Sequence, residues 1–452
     1  MEKIIKTLNI VNLVSALLAI VLCVFPYGKP QNITLYVFFI SFGLEFLLEK
    51  KWRDFKWTRY SWMYAAFLTF FAMILLWMPF EEHTDYTVKI IEYRLPFLAF
   101  GVIGLFGLNK FHKMKYYAFT FITWSVAMIL YILFYKMGLY HLSYDGTALI
   151  PFDEYKFDGF MYMINDIKPS QYFAAIRTFS FTSHFIFDFI LNLGLISCFY
   201  LILRNPLKRK WQRVAAYVFI GISFVILFTT LLFSDGRSGF ISGMTTTAIG
   251  LLFLMWRKSR VTTIVTACVI GVLGILIIPK HQKFKDKNIN NDPRAIIWKH
   301  SIKLIKEKPL LGYGAGDASY AIMDELSASQ EVQEKLQFEE LVREHLKERR
   351  ILCAHSHSQV FQTTLEYGLW GPIVLLIIIF LPFFIVKQSE LKCIATMFVV
   401  ITFIQLATDI YVSAVPLMPY SLFIIVLLRE DWLETFASTN LQSAKKGDRH
   451  TF

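Results

Sequence analysis

Apolar residues follow one another in long runs along most of this chain, and short polar stretches separate the runs. A helix needs roughly 20 mostly apolar residues to cross the roughly 30 Å hydrocarbon core of a bilayer. Twelve runs come near that length, and they are 5–26, 33–48, 60–78, 90–108, 117–135, 182–203, 213–233, 238–256, 261–279, 369–386, 392–410 and 413–428. The first is too long for a signal-peptide core, so we interpret it as a membrane anchor. The pattern predicts an all-α integral membrane protein with about twelve transmembrane helices.

Composition and loop charge add an orientation to this picture. Hydrophobic residues make up 56% of the chain and the mean hydropathy is +0.48. This is more apolar surface than the core of a soluble protein of this length would bury. Lysine and arginine cluster in the even-numbered connections, at Lys50–Arg59, Asn109–Lys115, Arg204–Arg213, Arg257–Arg260 and Lys387–Lys392. Cytoplasmic loops are enriched in these residues, so we expect both termini to be cytoplasmic. The net charge of +12 then reflects topology and contact with membrane lipids, and we expect no nucleic-acid partner.

Two outer connections, 136–181 and 280–356, are far longer than ordinary loops. The first is rich in Tyr, Phe and Asp, which suits either stacking on sugars or packing on the bundle surface. In the second, Asp292 is a candidate N-cap for a helix that ends at Pro309. A later pattern over 325–350 predicts an amphipathic helix that covers the bundle. The glycines of "GYGAGD", Gly312–Asp317, predict a turn that lets the backbone approach another group, such as a lipid headgroup.

Signals for soluble-enzyme chemistry are absent from the sequence. Four of the five cysteines lie in predicted spans, so neither a disulfide framework nor a metal site is indicated. The chain contains no D-x-D carboxylate pair and no phosphate-binding P-loop motif, and "GYGAGD" is too short for a dinucleotide fingerprint. We therefore expect no metal and no cofactor.

Ionisable residues gather near the predicted outer ends of the spans. They are Arg94, His184, Asp188, Arg237, His355, His357 and Asp409. A transporter typically places such residues near the midplane and has internal repeats, so a site open to the outside fits better. Structural alternatives exist for most of them. Arg94 and Asp409 could form an ion pair, and His184 and Asp188, one helical turn apart, could bond each other. Arg237 precedes a span, where a guanidinium and free backbone N–H groups favour an anion.

Three segments resemble the O-antigen ligase and polymerase superfamily of polytopic bacterial inner-membrane enzymes. They are "GRSGF" at the start of a span, an arginine-bearing helix that leads into "PLLGYGAGD", and "HSHSQVFQTTLEYGLWG". The last is similar to the ligase pattern of His, a small polar residue, nine residues and G-x-x-G, with His357, Ser358, Gly368 and Gly371 in place. The resemblance covers roughly Arg94 to the last span. Ser358 stands where Asn is common, and Phe185 where relatives often have Pro.

The resemblance implies transfer of a glycan from a polyprenyl-diphosphate carrier, on the periplasmic side of the inner membrane. Arg237 and Arg294 would stabilise the diphosphate that leaves, which needs no metal. His357 would take the proton of the acceptor hydroxyl. On a helix, His355 would point to another side, so a supporting role is expected for it. The substrate-binding candidates are Arg94, His184, Ser238, Gly314, His355 and Ser358.

The resulting prediction is an O-antigen ligase-type glycosyltransferase that moves a glycan from undecaprenyl-diphosphate to lipid A-core. An O-antigen or exopolysaccharide polymerase is the alternative within the superfamily, and a polysaccharide flippase or transporter is the alternative outside it. The predicted organisation is a bundle of nine spans over 1–279, a periplasmic loop with amphipathic helices over 280–356, three spans over 357–428 and a cytoplasmic tail over 429–452.

Overall fold

The computed structural model is helical along most of the residues that it describes. These are 2–23, 29–53, 55–132, 140–142, 149–151, 184–204, 209–233, 236–277, 293–330, 332, 355–408 and 414–447. The bundle helices are α1 (Glu2–Leu22), α2 (Lys29–Glu49), α3 (Ser61–Trp77), α4 (Thr84–Phe106), α5 (Met114–Tyr131), α6 (His184–Arg204), α7 (Lys210–Phe233), α8 (Arg237–Trp256), α9 (Arg260–Ile277), α13 (Trp370–Ile385), α14 (Ser389–Thr408) and α15 (Ala414–Gly447). Short helices α10 (Pro293–Glu307), α11 (Ala315–Ala328) and α12 (Gln359–Tyr367) lie between α9 and α13.

Each of the twelve predicted spans coincides with one bundle helix. Among the described residues, seven helices are long and apolar enough to cross a membrane: α1, α2, α3, α6, α7, α8 and α14. The apolar helices α9 and α13 are shorter. The structure therefore supports a multi-pass membrane protein, and the number of twelve crossings stays a prediction.

Helix α7 shows how the bundle meets its surroundings. Val214, Val218, Ile222 and Val225 are all exposed and recur every three or four residues, so they form one outward stripe. A soluble protein rarely exposes such a continuous apolar face, whereas the acyl chains of lipids cover it at no cost.

The centre of the bundle is built around α6. Its residues are almost all buried, and it packs against α5, α7, α8 and α14. Helix α14 in turn contacts α8 and α13, and α3 pairs with α4 as α1 does with α2. The beginning of α6 is thereby surrounded by neighbouring helices, which matters for the site described below.

Helices α10, α11 and α12 form a separate layer, which we call the cap. Its own small core contains Ile296, Leu304, Ile322 and Leu365. The cap lies at the Trp77 end of α3, where the indole Nε1–H donates to the Leu311 carbonyl at 2.6 Å. Because α12 packs on α10 and α11, the cap continues to Tyr367, beyond the predicted boundary at residue 356.

The two long connections are only partly described. In the first, Tyr140–Leu142 (β1) pairs antiparallel with Leu149–Pro151 (β2), and most of the aromatic-rich segment lies outside the described residues. In the second, the predicted helix up to Pro309 is confirmed as α10. The predicted amphipathic helix over 325–350 is misplaced at its start, because α11 begins at Ala315 and ends at Ala328. Most of its remaining residues fall outside the described part of the chain.

Candidate active site

His357 lies in a tight turn immediately before α12. Its backbone φ is +50°, a left-handed conformation that is uncommon for residues other than glycine. The turn is held by Ser356, whose hydroxyl donates to the Ser358 carbonyl at 2.7 Å and whose N–H donates to Gln362 Oε1 at 3.2 Å. The imidazole is therefore fixed by a strained but well-bonded backbone, which is typical of functional positions.

His355 lies beside His357 instead of pointing away from it. The expectation that the two would diverge assumed a helix, but both residues precede α12. Their ring centroids are 4.3 Å apart and the rings meet edge to face. The structure therefore corrects the predicted geometry and joins the two imidazoles in one cluster.

The surroundings of His357 hold its side chain in the neutral form. Burial, together with the adjacent His355 and the positive charge of Arg294, lowers the pKa of His357 to about 4, because each of them disfavours the charged imidazolium. At neutral pH the imidazole thus carries a free nitrogen lone pair that can accept a proton.

Arg294 lies at the start of α10 and faces the start of α6. Its guanidinium carbon is 4.8 Å from the centre of the Phe185 ring, a cation–π arrangement. Phe185, which stands where relatives of the superfamily often have proline, thus contacts one of the predicted site residues. It follows His184, which begins α6 but whose side chain lies outside the described part of the structure.

The "GRSGF" segment forms the first turn of α8 and packs on α6. Asp188 is 0% exposed, and a Cβ added to Gly239 would overlap its Oδ2 atom, so only glycine fits there. Asn192 Nδ2 donates to the Asp188 carbonyl at 2.8 Å and lies 3.5 Å from the Gly239 carbonyl. The sequence did not reveal this contact, although the paired glycines around Arg237 were a signal of close packing.

The first turns of α6 bring the two predicted arginine segments together. Phe185 contacts Arg294, and Asp188, one turn further along, contacts the helix that begins with Arg237. Arg237 is half-buried, and the first N–H groups of a helix such as α8 have no intrahelical acceptor. A guanidinium and a helix N-terminus are thus combined at this position, an arrangement that favours an anion.

Arg94 is engaged inside the protein, at the other end of α12. It is 4% exposed and Glu366 is 2% exposed, and its Nη2 donates to both carboxylate oxygens, at 2.8 and 2.7 Å. Its Nη1 donates to the Tyr367 hydroxyl at 2.7 Å. Asp409, the alternative partner, lies outside the described residues. The geometry makes Arg94 an anchor for the helix that begins beside His357. Glu366 is a lone carboxylate in an apolar stretch of the sequence, which signals a buried partner but does not identify it as Arg94.

Gly314 approaches a carboxylate of the protein itself and not an open surface. Its φ is +100°, and a Cβ there would overlap the Glu81 side chain. Glu81 accepts from the N–H groups of Ala315 and Gly316, at 2.7 and 3.1 Å, and so caps α11. The "GYGAGD" turn was predicted to approach another group, and in the structure that group is Glu81. The suggested headgroup contact is not supported.

A second carboxylate completes this contact from the opposite direction. Asp317 in the first turn of α11 accepts from the N–H groups of Glu82 and His83, both at 2.9 Å, just before α4 begins. His83 Nδ1 lies 2.8 Å from Asp317, and its ring stacks on Tyr320 at 3.7 Å. We call this reciprocal pair of caps, Glu81 on α11 and Asp317 at α4, the carboxylate clasp. It fixes the cap to the bundle.

The remaining candidates are buried within the site. Ser238 and Ser358 are both nearly inaccessible, and the Ser358 carbonyl also accepts from the Gln362 N–H at 2.9 Å. Their positions fit a role in holding the turn at His357 and the first turn of α8. Within the described ranges, His, Cys, Asp and Glu side chains form no group of three that could hold a metal ion.

Residues 222–376 match a family model described as O-antigen ligase. The matched segment runs from α7 into α13 and contains Arg237, Arg294 and His357, whereas Arg94 and His184 precede it. The resemblance to this superfamily is thereby confirmed, and a glycosyltransferase-like ligase or polymerase is supported. No curated protein matches the chain.

Proposed function

We propose that this chain, which matches the O-antigen ligase family over residues 222–376, transfers a glycan from undecaprenyl-diphosphate to lipid A-core. The observation that carries the proposal is His357, held in a hydrogen-bonded turn and close enough to Arg294 for the guanidinium to lower its pKa, within the matched segment. One group can accept a proton while the other stabilises negative charge, which are the two demands of glycan transfer from a diphosphate.

The proposed reaction is a direct displacement. A hydroxyl oxygen of the acceptor attacks the anomeric carbon, the bond from that carbon to the diphosphate oxygen breaks, and the diphosphate leaves with the electron pair. The hydroxyl proton passes to His357. Attack from the side opposite the leaving group inverts the anomeric configuration. General-base assistance of this kind typically contributes a factor of about 10²–10⁴.

The cations act on the leaving group in this proposal. Negative charge grows on the diphosphate as its bond to the sugar breaks, so guanidinium groups fixed at Arg237 and Arg294 stabilise the transition state more than the ground state. The N-terminus of α8 contributes its N–H groups to the same anion. The ring of Phe185 keeps the Arg294 side chain in place.

Substrate binding would also raise the pKa of His357, the proposed base. In the free protein the charge of Arg294 helps to lower the pKa of His357. A bound diphosphate compensates that charge, so the pKa of His357 rises when the donor is in place. A base with a pKa near the working pH is the more effective one, so the proposal links donor binding to activation.

The test replaces His357 with asparagine, which removes the imidazole but tolerates the left-handed backbone better than alanine. His355→Asn is the matched control, because it removes the neighbouring imidazole. We expect His357→Asn to leave long glycan on the carrier and lipid A-core undecorated, while His355→Asn retains most of the transfer. Gel analysis of lipopolysaccharide beside extracted carrier-linked glycan gives the readout.

Other patterns would contradict the proposal in identifiable ways. Lipid A-core capped by single repeat units in the His357→Asn strain would identify the polymerase, because a separate ligase would still act. Glycan trapped on the cytoplasmic side would identify a transporter. Unchanged patterns at normal protein levels would remove His357 from the mechanism.

A further inference from the structure

A cavity of about 1010 Å³ lies at the opposite end of the bundle from the candidate active site. It is bounded by α1, the start of α3, the end of α4 and the middle of α15. Helix α3 begins at this cavity with Ser61 and ends at the cap with Trp77, about 25 Å away at 1.5 Å per residue. The loop-charge pattern predicts that this end is cytoplasmic.

The inner walls of the cavity are largely apolar. Ile5, Leu105, Phe106, Ile425 and Leu428 contribute to them, from three helices. Its volume is at the upper end of the range of small-molecule pockets. A flexible hydrocarbon chain fits such a space, and bilayer lipids supply these chains at high local concentration.

Lysines line the same cavity. Lys6, Lys56 and Lys110 come from three different segments, and all three are exposed, so their stems can follow the wall while the ammonium groups stay in water. Within the described part of the chain none of them forms an ion pair. The exposed carboxylates of the lining are Glu2 and Glu49, and Glu49 lies 3.8 Å from Lys51. The charge of the three lysines is therefore available to a ligand.

Two further cations are built into the wall. Lys51 is paired with buried Glu45, so its charge is compensated. Arg429 instead donates to the carbonyls of Leu108 at 3.1 Å and His112 at 2.9 Å, which orient the guanidinium without neutralising it. The cavity thus combines apolar walls with several cations, one of them rigidly held.

Asn9 supplies a polar group in the wall. It is 5% exposed, and its Oδ1 has no hydrogen-bond partner among the described residues. A buried polar atom without a partner is costly and is usually satisfied by a water or a ligand. Its amide oxygen requires a donor such as a hydroxyl group, which a glycerol headgroup carries.

We propose that this cavity binds an anionic phospholipid of the cytoplasmic leaflet, of the phosphatidylglycerol type. The phosphate lies among Lys6, Lys56 and Lys110, a headgroup hydroxyl donates toward Asn9, and an acyl chain lies along the apolar walls. Basic pockets between membrane helices on the cytoplasmic side recognise phosphate headgroups by this combination of charge and shape.

The experiment is native mass spectrometry of the purified full chain, released from micelles that contain phosphatidylglycerol or phosphatidylcholine with matched acyl chains. The test variant is Lys6→Gln/Lys56→Gln/Lys110→Gln. The control variant, Lys113→Gln/Lys210→Gln/Lys258→Gln, removes the same number of charges from exposed positions on the predicted cytoplasmic side, outside the cavity.

We expect wild type and the control variant to retain phosphatidylglycerol and to release phosphatidylcholine. At about fivefold per lysine, the test variant should bind phosphatidylglycerol on the order of a hundredfold more weakly. Equal retention of both lipids, or equal losses in the two variants, would overturn the proposal. Displacement of the lipid by an excess of inorganic phosphate would show a site for a soluble anion and would overturn it as well.

Discussion

The buried pair of Arg94 and Glu366 offers a quantitative test of how α12 is held. Two hydrogen bonds join the Arg94 guanidinium to the Glu366 carboxylate. Glu366→Gln keeps the side-chain shape but leaves the Arg94 charge buried without a carboxylate partner. Breaking a buried ion pair from one side costs about 3–5 kcal/mol, and we expect Arg94→Met to cost a similar amount. Because α12 begins beside His357, each single variant should also lose transfer activity.

The double variant Arg94→Met/Glu366→Met should behave differently. It removes both charges, so the remaining cost is that of Gln362 and Tyr367, which lose hydrogen-bond partners, or about 1–3 kcal/mol. Unfolding of the purified protein by dodecyl sulfate in mixed micelles gives these free energies, and transfer by the folded fraction gives the activity. We expect the double variant to recover both relative to the single variants.

Two results would refute this reasoning. If the cost of the double variant equals the sum of the single costs, the two side chains do not act as a pair. If the double variant is well folded but transfers no glycan, Arg94 contacts the substrate directly, and its assignment as an anchor is wrong.

Three shorter predictions concern the site and the clasp. The rate constant kcat/KM should fall as the pH drops through the pKa of His357, about 4 in the free protein, and Arg294→Gln should move this acid limb to higher pH because a positive charge is removed. An acid limb that Arg294→Gln leaves in place would contradict the electrostatic coupling. Arg237→Lys should reduce transfer roughly ten- to a hundredfold at normal protein levels, since lysine loses the planar fork that binds phosphate oxygens, and near-normal transfer would mean that charge alone suffices. Gly314→Ala should destabilise the protein more than Gly107→Ala in the same dodecyl sulfate assay, because both have positive φ but only Gly314 is in contact with a carboxylate. Equal losses would show that backbone strain alone matters.

The bundle was predictable because each helix carries its own signal. The run 238–256, for example, became α8 at Arg237–Trp256, since a continuous apolar stretch of that length defines a helix in lipid locally. The start of α11 was not predicted, because its capping residue is not a local one. Its N-terminal N–H groups are capped by Glu81, 234 residues earlier in the chain, so no local capping residue announces the helix at Ala315.

In the candidate site, too, residues with a local signal were predictable and contacts between distant residues were not. Arg237 and His357 stood out because charged residues at the ends of apolar runs are unusual, and the ligase-type spacing included His357. The partners of Arg94 and Gly314, which are Glu366 and Glu81, could not be paired from the sequence, because a single sequence contains no signal for which distant carboxylate meets which donor. The left-handed turn at His357 also depends on hydrogen bonds that form only in the folded chain.

The carboxylate clasp has a consequence for biosynthesis. Glu81 and the Ala315 N–H that donates to it are separated by 234 residues, so the ribosome completes the second element long after the first has entered the membrane. At about 5–20 residues per second, the beginning of α4 waits roughly 10–50 s for Asp317 to arrive. During that interval the Glu81 carboxylate has no α11 to bind. The segment before α4 is then accessible to insertion factors and proteases. A ribosome-bound chain halted before Gly314 should therefore be cut near His83 by added protease, whereas one extended beyond Ala328 should resist. The distance along the chain thus sets when this protein first becomes resistant to degradation, and quality control has that interval in which to act.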